Sequence, residues 1–161
     1  MAGIIGTAWS GAAERRHRRL QTSDTVARER LEALYLDIIG SARYDLTRSQ
    51  PATITVGDPP AQRSTDEMLL RQSKIEAFAS HAVISIYDHF QKACRAASYW
   101  NDLTRARVRE NFPNEPTHHF PPEAEGLSAD ELRQRATEQW NRAEDNYKQL
   151  VDLIRKELAL A

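Results

Sequence analysis

The sequence has one cysteine, Cys94, so no intramolecular disulfide can form. A lone thiol suits a reducing compartment. Glycine is scarce: six residues, scattered, none of them in the Gly-rich run before a helix start that cradles phosphate. Neither charge sign dominates. Twenty-two Lys and Arg face 23 Asp and Glu, a net charge of −1, so bulk charge does not make the chain a polyanion binder. No apolar run approaches the roughly 20 residues that span a bilayer. The apolar N-terminal stretch precedes its positive charges, whereas a secretory signal places them first.

What is present is helical periodicity. The length of 161 residues fits one domain over 1–161. Three stripes at helical steps are separated by proline-bearing linkers at 49–63 and 112–127. The first helix is expected over about 4–48 or 24–48. Leu31, Leu34 and Ile38 lie on its stripe, and Pro51 stops it. Thr53 to Val56 alternates like a strand but has no second strand to pair with, so the linker reads as an extended connector.

The second helix is expected over about 64–111. Ser64 and Glu67 have capping-box spacing. Ile75, Phe78, Ile86, Phe90 and Trp100 mark its apolar side, and no Gly or Pro interrupts residues 61–112. The third helix, about 128–159, opens with LSADEL. Ser128 and Glu131 form a second capping box, and Leu127 and Leu132 occupy the hydrophobic-staple positions. Leu132, Trp140, Tyr147, Leu150 and Ile154 form its stripe. The fold class that follows is all-α, an antiparallel bundle of three long amphipathic helices. The stripe residues are assigned to the bundle core or a partner interface.

Length bears on the first helix. If it begins near Ile4 it matches the second, and residues 15–19 then lie alongside about 93–97, near Glu144 and Asp145. If it begins at Asp24, the second helix overhangs and self-association covers its end.

Chemistry-bearing clusters are few. His118 and His119, with Glu115 and Glu123, are adjacent histidines that point apart in an extended loop and seldom share an ion. His81, Asp88 and His89 would need carboxylates from other helices, such as Asp37, Asp45, Glu144 or Asp145, to make a metal-dependent enzyme. Cys94 sits within an apolar stripe, where a thiol is usually inert. The expectation is a protein that is not an enzyme and holds no cofactor or metal.

The remaining signal is the knot Arg15, Arg16, Arg18 and Arg19 after Ile4, Ile5 and Trp9. As a nucleic-acid contact it lacks a recognisable DNA-binding motif and aromatic interleaving. As a membrane contact its order is right: apolar residues, an interfacial Trp, then arginines held on the cytoplasmic side. Four arginines add roughly 1 kcal/mol each on an anionic leaflet. As a bundle surface, the same arginines would pair with acids, at about 0–1 kcal/mol per exposed pair.

The stretches GIIGTAWSGAAERRHRRL and ARERLEALYLDIIGSARYDL resemble a class of small actinobacterial and phage proteins. In that class an N-terminal membrane helix runs into an arginine-rich collar and a cytoplasmic helical hairpin. The resemblance covers about the first 48 residues. It implies a cytoplasmic chain, peripheral at the inner face of the membrane, whose apolar segment is truncated or whose start lies upstream. The class brings no common chemistry to any residue here. The functional expectation is a helical interaction or scaffold protein that docks onto other helical proteins or onto itself. A nucleic-acid-binding accessory role is the first alternative and a metal enzyme the second.

Overall fold

The computed structural model describes residues 5–51, 65–110 and 119–160. Side chains are described from residue 25 onward, apart from those of Thr65, Met68 and Leu160. Among these residues the chain is all-helical: α1 (Ile5–Ser49), α2 (Thr65–Phe78), α3 (His81–Arg109) and α4 (Ala129–Leu160). The expected three-helix bundle is not what forms, because the second long helix is broken into α2 and α3. No Gly or Pro causes the break. Ser80 turns extended, with φ −66 and ψ 154, and its Oγ accepts from the Val83 N–H at 3.2 Å as the N-cap of α3. Serine can hydrogen-bond local backbone in place of a continuing helix.

The break lets α2 fold back along α1, and this sets the topology. Asp45 and Ser49 of α1 meet Gln91 and Asn101 of α3, in rising order, so α1 and α3 are parallel. α4 runs against both: its Trp140 meets Leu46 and its Glu157 meets Tyr35. α2 runs against α1, with Arg71 paired to Asp37 at 3.4 Å. The register in which 15–19 lie alongside 93–97 is therefore replaced by one that pairs residues 35–49 of α1 with 80–101. α1, not the second helix, overhangs. α3 begins level with Tyr35, α2 ends beside Leu34, and Arg28 reaches the Leu158 carbonyl near the end of α4. Residues 5–26 thus run about 33 Å past the other three helices, at about 1.5 Å per residue.

α3 and α4 form the main pair of the core. Val83, Phe90, Ala93 and Ala97 of α3, with Leu132, Ala136, Ala143, Leu150 and Ile154 of α4, are buried. The alanines make a seam of small side chains that admits close helix approach, and the large residues fill either end. Tyr35, Ile38 and Ala42 of α1 close the core, with Ile75 from α2. Of the expected stripe residues, Leu31, Leu34, Ile86, Trp100, Trp140 and Tyr147 are half-buried. Phe78 is exposed, because the chain turns just beyond it.

The start of α4 follows the sequence. The Glu131 N–H donates to Ser128 Oγ at 3.3 Å, and the Ser128 N–H to Glu131 Oε2 at 2.8 Å, closing the capping box. Gly126 precedes it at φ 76, a left-handed turn that side-chain-bearing residues disfavour. The approach segment is pinned: the Arg107 guanidinium sits 3.7 Å over the Phe120 ring, and Tyr99 donates to Glu123 at 2.8 Å. The other expected capping residue, Ser64, lies outside the described residues.

Candidate interaction face

α2 has the weakest hold on the body. Among its described side chains it buries only Ile75, which contributes roughly 2–3 kcal/mol by removal from water. Leu69 is 61% exposed, Leu70 60% and Phe78 70%, while Leu36 on neighbouring α1 is 67% exposed. Single exposed apolar residues are ordinary; of these four, Phe78 faces the α1 side of α2, while Leu69, nine residues earlier, faces the opposite flank.

Two voids flank α2. An apolar groove of about 640 Å³ lies between it and α1, walled by Leu31, Leu34 and Phe78 and rimmed by Arg30, Asp37 and Lys74. On the other flank, a cleft of about 530 Å³ opens between α1, α2 and α3. This cleft is polar: Gln91 donates to Asp45 at 2.9 Å and to Tyr87 Oη at 3.1 Å, and Arg48, Arg71 and Arg95 line it. Burial, chiefly, pushes the Tyr87 hydroxyl above its ordinary pKa. Among the described residues Arg48 and Arg95 have no ion pair within 4.0 Å. The cleft offers hydrogen-bonding and charged groups of both signs, an arrangement suited to binding.

A polar knot fastens the break between α2 and α3. Glu157 of α4 accepts from the Tyr35 hydroxyl of α1 and, at 2.5 Å, from Ser80 Oγ. One carboxylate thereby ties three elements together. Burial first, and the adjacent Glu157 second, raise the Tyr35 pKa above its usual value, so this hydroxyl stays protonated and keeps donating. At the opposite end of the bundle, the orphan carbonyls of the last α1 turn are met by side chains. Asn101 Nδ2 donates to Ser49 O at 3.0 Å and Trp140 Nε1 to Leu46 O at 3.1 Å.

The sequence-derived candidates are placed as follows. Ile4 lies outside the described residues. Ile5, Trp9, Arg15, Arg16, Arg18 and Arg19 all fall on the overhanging part of α1, in the stretch whose side chains are not described. His81, Asp88 and His89 are exposed on α3, and Asp88 pairs with Lys92 at 2.7 Å. Asp37 and Asp45 are engaged with Arg71 and Gln91, and Glu144 with Lys148. His118 and Glu115 lie outside the described residues; His119 is exposed. Among the described residues, no three His, Cys, Asp or Glu side chains gather as a metal site, and no helix is long and apolar enough to cross a membrane. Cys94 is buried, and burial pushes its thiol up to about 11.

Sequence reading missed Tyr35, Ser80 and Glu157 as a unit. The one local hint was Ser80 itself, a serine set between Ala79 and His81 inside an apolar stripe. The chain matches no protein-family model, no curated protein and no solved structure.

Proposed function

We propose that this protein is a non-enzymatic helical docking module that binds an amphipathic helix of another protein, or a further copy of itself, along the α1–α2 face. The observation that carries the reading is the apolar groove between α1 and α2, walled by Leu31, Leu34 and Phe78, with Phe78 70% exposed. A helix laid in a groove buries residues at i, i+3, i+4 and i+7, which suits this elongated surface. The rim charges Arg30, Lys74 and Asp37 supply orientation. The test compares wild type with Ala27→Glu/Phe78→Ser, two exposed positions that line the groove. The reading requires that the variant stay folded and lose self-association by light scattering, or lose a partner retained by wild type from the native host. Equal behaviour of the two proteins in both assays would sink it.

A second reading is supported by the overhang of α1, which carries the arginine knot away from the bundle. We infer that residues 5–26 approach an anionic membrane surface from the cytoplasmic side. Co-sedimentation with anionic vesicles, lost on replacing Arg15, Arg16, Arg18 and Arg19 by Ala, is the expected result. Absence of binding at low salt removes this reading. Steep salt-dependent binding to DNA in place of vesicles would favour a nucleic-acid accessory role.

A further inference from the structure

We propose that α2 is a hinged helix that turns about Ser80 between the folded-back position and an extended one, continuous with α3. The break spans only Ala79 and Ser80. Backbone hydrogen bonding runs up to Ala79 N–H on Ile75 O at 2.9 Å and resumes with Ile84 N–H on Ser80 O at 2.9 Å. The φ of Ser80, −66, is already helical; its ψ of 154 is what departs. Neither Gly nor Pro occurs between residues 61 and 112 to prevent a continuous helix.

The folded-back position is lightly held. α2 buries only Ile75 among its described side chains, pairs Arg71 with the exposed Asp37, and is flanked by voids of about 640 and 530 Å³. Elements with few buried contacts open first. The Ser80 hydroxyl fixes the turn through its bonds to Val83 N–H and Glu157.

The extended position has a place to go. Because α3 runs parallel to α1, a straightened α2 travels beside about residues 20–33 of α1 and so along the root of the overhang, which no other helix accompanies among the described residues. On a continuous helix at about 100° per residue, Leu69, Ile75 and Val83 all fall within about 60° of Phe90. The core stripe thus extends onto α2 when it straightens. The proposal does not rest on the α1–α2 face being a docking surface; an occupant of that groove would hold α2 in the folded-back position.

The experiment places spin labels at Asp66 and Thr47, in a Cys94→Ala background, and measures their separation with Ser80 intact and with Ser80→Ala. In the folded-back state the two positions lie near one another, since Leu69 and Arg48 line the same cleft. In the extended state they are about 40 Å apart, from about 26 residues of axial offset at about 1.5 Å each. Ser80→Ala is expected to raise the ratio of long to short separations at least tenfold, with helical ellipticity unchanged or higher. Small-angle scattering on unlabelled Ser80→Ala should show a greater radius of gyration than wild type, with the maximum dimension still set by α1, which keeps the test independent of the cysteine replacement. A short separation and an unchanged radius of gyration in Ser80→Ala overturn the proposal. So does a broad distribution with ellipticity lost, which means that α2 unfolds instead of swinging.

Discussion

Trp140 of α4 donates its indole N–H to the carbonyl of Leu46, 3.1 Å away in the last turn of α1. Helix C-termini leave carbonyls unpartnered, and most find a glycine turn or water. Here the donors come from other helices, Trp140 and Asn101, and so capping is also the means by which α1 is held in register.

Asn101→Leu is expected to destabilise the fold by roughly 1–3 kcal/mol, because Asn101 is buried and its loss strands the Ser49 carbonyl. Trp140→Phe should cost less, about 1 kcal/mol, since Ser49 Oγ also donates to Leu46 O. Urea denaturation curves measure both, and the order of the two is the point at issue.

Glu157→Leu removes the acceptor of two hydroxyls at once. The buried Tyr35 hydroxyl is then left without its partner, at a cost of about 1–3 kcal/mol. Tyr35→Phe in the Glu157→Leu background should recover part of that loss. A double-mutant cycle reads the coupling directly.

Alkaline pH should weaken the fold through Cys94. Its folded thiol titrates at about 11, above the usual value for a free thiol, owing chiefly to burial. Above pH 9 the unfolded chain releases a proton that the folded chain retains, so stability falls as pH rises. The loss levels off beyond pH 11 at roughly 2–3 kcal/mol. Cys94→Ala should flatten this part of the stability profile. Native protein at pH 8 should also resist iodoacetamide, while urea-unfolded protein reacts.

Ser128→Ala removes the reciprocal capping box at the start of α4 and is expected to cost about 1 kcal/mol. The bonds from Ser128 hold the Glu131 carboxylate below its ordinary pKa, so the box weakens as pH falls through the acid range. A thermal melt at neutral pH should show the larger gap between wild type and variant.

Local chemistry was legible in this sequence, and long-range chemistry was not. Ser128 and Glu131 are three residues apart, so their bond is written into one turn. The stripes through Ile38, Phe90, Leu132, Leu150 and Ile154 report burial because helical spacing alone puts them on one side. The break at Ser80 had no such marker. It depends on Glu157, 77 residues away, and on Tyr35 from a third helix. The exposure of Phe78 followed from that same unseen turn. The groove and cleft beside α2 were likewise invisible, since both exist only because α2 doubles back.

The meeting of Arg28 with the Leu158 carbonyl gives the bundle two unlike poles. At one pole the ends of α1 and α3 meet the start of α4. At the other pole the last turn of α4, the Ser80 corner and the root of the α1 overhang come together. A fluorophore at Ala159 would therefore sit beside the overhang and the corner at once, and would report on events at either without touching the opposite pole.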